Sequence, residues 1–141
     1  MLFAGSGREE LRRRYVEAWR RHRERLPLEP LDAAIADVIA LHPEYQPLLE
    51  DPGNLQRAFT VEDGQVNPFL HMGLHLALRE QLATDRPAGI VRERDRLVRS
   101  LASAHDAEHL MIDTLAETLW EAQRAGRAPD EAAYLERLRR L

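Results

Sequence analysis

The sequence predicts an all-α protein, a bundle of about five to six helices. Nearly every long segment carries apolar residues at helical spacings of three and four. Prolines, glycines and good capping residues separate these segments. One stretch, residues 43–67, lacks the pattern and contains three prolines and two glycines, so we expect it to be irregular. At 141 residues, the chain is expected to form a single helical domain over residues 1–141.

Two helices are predicted before the irregular stretch. The first covers about residues 8–26, and its apolar face recurs at helical spacing. Pro27 and Pro30 interrupt the chain, and Pro30 suits the first turn of a second helix at about 31–41. Pro43 ends that helix, because the residue before a proline disfavours the helical region.

The middle of the chain predicts an irregular stretch that is followed by a central helix. A short helix at 44–50 and an extended segment at 58–61 are expected within the irregular stretch. A central helix then begins with Asn67 as its N-cap and Pro68 in the first helical position. Residues 68–78 are apolar almost all round, so we expect other helices to surround this one.

The last part of the chain predicts three more helices. One runs from about 87 or 90 to 102, and the next from about 105 to 125, where Gly126 suits a C-cap. Ser103 suits the N-cap of the second of these, although an unbroken helix through this join remains an alternative. Pro129 introduces a short final helix.

Composition excludes several kinds of chemistry. The chain has no cysteine, so disulfides, thiolate metal sites and cysteine nucleophiles are excluded. All 20 basic residues are arginine, which removes Schiff-base lysines and a P-loop lysine. Only three serines occur, and no nucleophile-elbow or dinucleotide-binding glycine motif is present. Catalysis would depend on His, Asp, Glu, Tyr or a bound ion.

Charge and hydropathy bear on partners and location. The net charge is −4, but residues 8–25 contain eight arginines and four glutamates. We interpret this stretch as a solvated helix face, and a nucleic-acid partner is disfavoured because no aromatic residues are interleaved with the arginines. We find no secretory signal and no membrane span, so a cytoplasmic protein without a membrane partner is expected. The sequence is compatible with a homodimer.

Two histidine pairs with the same spacing are the strongest functional signal. They are His71 with His75 and His105 with His109. Residues four apart on a helix lie on one face, with Cβ atoms roughly 5–6 Å apart, a suitable distance for two imidazoles to share an ion. The sequence therefore predicts a metal site with these four histidines as ligands, and zinc is favoured ahead of iron.

The two pairs would meet if three successive helices run antiparallel to one another. The first and third of these helices would then be parallel, with both pairs near their N-terminal ends. The alternative interpretation is that the histidines are buried, hydrogen-bonded core residues. His22 and His42 are interpreted in that way, and His42 with Glu44 is kept as a lesser candidate for an additional ligand.

Residues 105–109 also match H-x-x-E-H, the zinc motif of inverted zincin peptidases. In that chemistry the two histidines bind zinc and the glutamate activates the bound water, which makes Glu108 the candidate general base. Such peptidases are usually much larger, and only 32 residues follow His109. We therefore expect a hydrolase-type centre without assigning the peptidase class.

Six segments of the chain carry residue patterns that are specific enough to compare with a known family: 41–45, 67–76, 79–81, 85–90, 105–109 and 119–124. They resemble one uncharacterised proteobacterial family, the domain of unknown function 1841. Together they extend over nearly the whole chain. The resemblance implies a small, stand-alone bacterial cytoplasmic protein and supplies no activity.

Three functional hypotheses follow. A metal-dependent enzyme, with a hydrolase as the favoured case, predicts an open coordination position. A non-catalytic metal protein predicts a closed four-ligand site and a loss of stability on chelation. A metal-free helical interaction or structural module predicts separated histidines and an exposed apolar patch near Trp19 or Trp120.

Overall fold

The computed structural model describes residues 6–56 and 67–141, and the regular structure in these ranges is helical throughout. The predicted all-α class is confirmed. The α-helices are α1 (Ser6–Arg23), α2 (Pro30–Ala40), α3 (Gln46–Leu49), α4 (Pro68–Thr84), α5 (Ile90–Leu101), α6 (Ala104–Ala125) and α7 (Glu131–Arg139). Short 3-10 turns cover Pro43–Tyr45 and Pro52–Gln56.

The chain divides into two compact units, Met1–Gly73 and Leu74–Leu141. Helix α4 continues through the point of division, so its first turns belong to one unit and its remainder to the other. The single-domain organisation expected from chain length stays a prediction.

The first unit is built on the packing of α1 against α2. Its core consists of apolar side chains from both helices, among them Tyr15, Ala18, Trp19, Ile35, Val38 and Ile39. The Nε1–H of Trp19 donates to Oε1 of Glu50 at 3.3 Å, which joins α1 to the end of α3. Arg14 pairs with Asp32 at 2.8 Å and links the exposed edges of α1 and α2.

The predicted break after α2 occurs as expected. Helix α2 begins at Pro30 and ends at Ala40, and His42 adopts φ −126° and ψ 72°, outside the helical region. Pro43 then opens a 3-10 turn that leads into α3, so the short helix expected at 44–50 is present in two pieces. The extended segment expected at 58–61 lies outside the described residues.

Helix α4 begins where the sequence predicts. Asn67 Oδ1 accepts hydrogen bonds from the backbone N–H groups of Phe69 at 3.0 Å and Leu70 at 3.3 Å, as an N-cap does. Phe69 and Met72 are buried, whereas Leu70 is 62% exposed. Within residues 68–78 all side chains except Leu70 and Ala77 are buried or partly buried, and Leu70 marks the face of α4 that meets solvent.

The second unit packs α5 against α6, and α7 against both. Its core contains Leu78, Ile90, Leu97, Ala107, Met111, Ile112, Leu115, Tyr134 and Leu138. The hydroxyl of Tyr134 donates to Oε1 of Gln81 at 2.8 Å, which connects α7 to α4 within this unit. Burial raises the pKa of that hydroxyl well above its ordinary range.

The join between α5 and α6 is a true break. Ala102 has φ 54°, a left-handed conformation that ends α5. Ser103 is extended and its hydroxyl accepts from the backbone N–H of Asp106 at 3.1 Å, so it caps α6 as predicted. A single continuous helix through this region, the alternative left open by the sequence, is therefore wrong.

Tyr15 gives a pH-dependent prediction for the first unit. Burial raises the pKa of its hydroxyl to about 12, whereas an unfolded tyrosine titrates near pH 10. Between these pH values the unfolded chain releases a proton that the folded chain retains, so stability falls as pH rises. Two pKa units correspond to about 2–3 kcal/mol, fully present below pH 10 and lost towards pH 12.

Urea unfolding at pH 9 and at pH 11.5 measures this loss. The Tyr15→Phe variant should be less sensitive to the same change, because it carries no hydroxyl to ionise. An equal loss of unfolding free energy in both proteins would show that Tyr15 does not contribute.

Candidate metal centre

Helix α4 places two of the predicted ligands. His71 and His75 are four residues apart on this continuous helix, so their side chains leave the same face one turn apart. His75 is 1% exposed, and His71 is partly buried. A buried imidazole requires polar partners, since its ring nitrogens lose their contacts with water.

His42 lies beside His71, at the turn that ends α2. Its ring is 2% exposed, stacks parallel to Tyr45 at 5.2 Å between centroids, and meets the His71 ring edge-on at 5.1 Å. Nδ1 of His42 lies 2.7 Å from the carbonyl oxygen of Val38. A carbonyl only accepts, so Nδ1–H donates, and Nε2 of the neutral ring carries the lone pair that can bind a metal ion.

Helix α6 supplies the other predicted pair. The ring centroids of His75 and His109 are 5.1 Å apart, and the rings meet at 72°. His105 lies one turn before His109 on α6, with its ring 4.1 Å from the His109 ring at 79°. His109 is partly buried, whereas His105 is exposed.

Two pairs of histidine rings lie along α4: His42 meets His71 in the first unit, and His75 meets His109 in the second. We call His42, His71, His75 and His109 the four-histidine cluster. Zinc–nitrogen bonds are about 2.0–2.1 Å long, so two nitrogens on one tetrahedral zinc lie roughly 3.3 Å apart. His71 and His75 lie one turn apart on one helix, a spacing at which two imidazoles can share an ion, and each has a second histidine beside it, so these residues could hold a metal ion.

Glu108 lies next to the cluster on α6. Its Oε2 atom lies 3.5 Å from Nδ1 of His75. The contact with His75 lowers the pKa of the Glu108 carboxyl; burial opposes this effect, and the positive charge of Arg79 reinforces the lowering. The carboxyl group is therefore ionised at neutral pH.

The four-histidine cluster thus contains three of the four predicted ligands, His71, His75 and His109, together with His42. His105 contacts His109 but is not among the four, and its predicted role as a ligand stays a prediction. The sequence indicates His42 only as a lesser candidate for an additional ligand. No spacing rule connects it to α4, although its position before Pro43 indicates a fixed, non-helical backbone.

A separate pocket of about 480 Å³ lies in the second unit, against α6 and α7. It is lined by several alanines and by charged side chains that include Glu121, Arg127 and Arg137. Arg137 donates to Oγ1 of Thr118 at 3.2 Å and pairs with Glu121. None of the four cluster histidines lines this pocket, so it does not provide a substrate cleft at the cluster.

The two tryptophans differ in exposure. Trp19 is buried and stacks on His22, with ring centroids 5.2 Å apart. Trp120 is 55% exposed, and the guanidinium of Arg124 lies 4.6 Å from the centroid of one of its rings. An interaction module was expected to expose an apolar patch near Trp19 or Trp120, and of these two side chains Trp120 is the exposed one.

These observations define an all-α protein with a cluster of buried and partly buried imidazoles. The chain belongs to the family described as "Domain of unknown function (DUF1841)", whose model matches residues 7–140. The predicted resemblance is confirmed. Neither the curated proteins nor the solved structures contain a match to the chain.

Among the described helices, none combines the length and apolar content needed to cross a bilayer. The cytoplasmic location stays a prediction.

Proposed function

We propose that this protein binds one transition-metal ion through the four-histidine cluster. Two ring contacts carry the proposal, that of His42 with His71 and that of His75 with His109. His71 and His75 lie one turn apart on the continuous helix α4, which connects the two contacts. Imidazoles that are buried together lose contacts with water, which costs free energy. A metal ion bound by all four rings would compensate that cost. The hydrogen bond from His42 to Val38 adds support, because metal-ligating histidines usually donate their other ring N–H to a neighbouring acceptor.

The donor set favours zinc, with iron as the alternative. Imidazole is a borderline ligand that suits zinc, copper, nickel and iron, whereas calcium and magnesium prefer oxygen. The cluster contributes four nitrogens and no carboxylate. Zinc accepts four such ligands in tetrahedral geometry, while non-haem iron sites typically combine histidines with a carboxylate and keep open positions.

A four-ligand set also favours a non-catalytic role. Structural zinc sites are closed by four protein ligands, whereas catalytic sites keep one position for water or substrate. If all four imidazoles bind, the ion has no tetrahedral position left for water. The ion would then stabilise the fold, or be stored or sensed by it.

A metal-dependent hydrolase is the second candidate, and the position of Glu108 favours it. Its ionised carboxylate lies beside a candidate ligand, where a general base for a metal-bound water would stand. This function requires one histidine to leave the coordination sphere. It predicts metal-dependent turnover of ester, amide or phosphoester probes that Glu108→Gln abolishes.

Titration with Co²⁺ tests metal binding directly. Tetrahedral cobalt absorbs visible light much more strongly than the aqua ion, so the spectrum reports both stoichiometry and geometry. We expect saturation at one equivalent with tag-free wild-type protein. His22→Ala is the matched control, because it removes an exposed imidazole outside the cluster. A spectrum that stays that of aqua cobalt throughout the titration would contradict the proposal.

A further inference from the structure

The pairing of His75 with Glu108 has a geometry that bears on the function of the glutamate. The side chain of His75 is fully buried, and that of Glu108 is 19% exposed. Nδ1 of His75 lies 3.5 Å from Oε2 of Glu108. At this distance the two atoms lie just beyond a normal N–H···O hydrogen bond, and a small rotation of either side chain would form one. Such a bond at a site so poorly exposed to water is stronger than one on the surface.

The chemistry of the two groups indicates which ring nitrogen of His75 is available to bind a metal ion. A neutral imidazole has one N–H donor and one acceptor nitrogen, and an ionised carboxylate only accepts. A hydrogen bond to Glu108 would therefore place the proton of a neutral His75 ring on Nδ1 and leave the lone pair on Nε2. His42 has the same arrangement, because its Nδ1–H donates to Val38. In both rings Nε2 would then be the ligand atom.

We propose that Glu108 is a positioning residue that holds His75 in the metal-binding tautomer and orientation. Its carboxylate accepts from Nδ1–H, fixes the ring and increases the basicity of Nε2, as carboxylate partners of metal-bound histidines do. The proposal rests on the proposed function, since it assigns Glu108 a role towards the same ion. It differs from the general-base role that H-x-x-E-H predicts, in which Glu108 acts on a water molecule.

Variants at position 108 separate the two roles. Glu108→Ala removes the acceptor, and we expect the Kd for Co²⁺ to rise about 10- to 100-fold. Glu108→Gln keeps an acceptor oxygen but loses the charge, so its Kd should lie between those of wild type and Glu108→Ala. Asp106→Asn is the control, because it removes one negative charge from the first turn of the same helix at an exposed position.

The ¹⁵N NMR signals of the histidine rings in the zinc-loaded protein provide a readout that general destabilisation does not mimic. In wild type, His75 should show a protonated Nδ1 and a metal-bound Nε2. In Glu108→Ala we expect this Nδ1–H signal to broaden or disappear through exchange, while the signals of His42 persist. Circular dichroism of the metal-free proteins verifies that the variants fold.

Each outcome has a separate meaning. Wild-type protein that binds no cobalt overturns the proposed function and this proposal with it. Wild-type binding together with unchanged affinity and unchanged His75 signals in Glu108→Ala overturns only the positioning role. Turnover that falls in Glu108→Gln at unchanged metal affinity would identify a general base instead. A graded loss of affinity from Gln to Ala, with the Nδ1–H signal of His75 lost in Ala, supports the proposal.

Discussion

His75→Ala should lower the affinity for zinc by between about 10²- and 10³-fold. Structural zinc sites bind with apparent free energies of roughly 10–16 kcal/mol, so one ligand of four accounts for about 2.5–4 kcal/mol. Each factor of ten in Kd corresponds to about 1.4 kcal/mol, which gives the expected range. His75 is the most direct choice, because it is almost fully buried and adjoins both His109 and Glu108. Competition with a chromophoric chelator measures the change.

Two further variants make this result specific. The substitution at His75 removes a buried ring and can weaken the fold on its own. His109→Ala removes a partly buried ligand at lower structural cost and should give a loss of affinity in the same range. His22→Ala should bind zinc as wild type does. Equal affinity in all four proteins would exclude the four-histidine cluster as the binding site.

Removal of the ion should lower the melting temperature of wild-type protein by on the order of 10 °C. A ligand that binds only the native state at about 1,000 times its Kd contributes about 4 kcal/mol to the free energy of unfolding. For a chain of this size, 1 kcal/mol shifts the midpoint by roughly 2–4 °C. Thermal unfolding followed by circular dichroism, with zinc at fixed concentration or with excess EDTA, measures the shift.

The expected shift has an internal control in the ligand variants. His75→Ala should unfold at nearly the same temperature in zinc and in EDTA, because it holds little metal under either condition. Wild-type protein that melts at one temperature in both solutions would show that no ion contributes to the folded state. An equal EDTA effect on wild type and His75→Ala would point to a metal bound elsewhere.

Local signals explain why most helix boundaries could be predicted. Asn67 and Pro68 start α4 through a side-chain cap and a preset backbone angle, and both effects depend only on neighbouring residues. Ser103 likewise caps α6 through a contact three residues away. Pro43 ends α2 through a steric effect on the residue before it. Each of these devices is visible in a window of a few residues.

Which histidines form the cluster could not be predicted in full, because the answer depends on contacts between residues that are far apart in the sequence. The His71 and His75 pair was predictable, since helical periodicity puts both rings on one face. The packing of His42 against His71 arises from the turn between α2 and α3, and residues far apart in sequence carry no spacing signal. The two histidines of the second pair looked equivalent in sequence. In the structure His109 is partly buried while His105, one turn closer to the start of α6, is exposed.

Elemental analysis of tag-free protein tests the central claim most directly. The protein is expressed in zinc-supplemented medium, desalted and analysed by mass spectrometry for metal content. The account predicts one transition-metal ion per chain in wild type and in His22→Ala, and far less than one in His75→Ala and His109→Ala. Wild-type protein that carries no stoichiometric ion, and acquires none after dialysis against zinc, would contradict it.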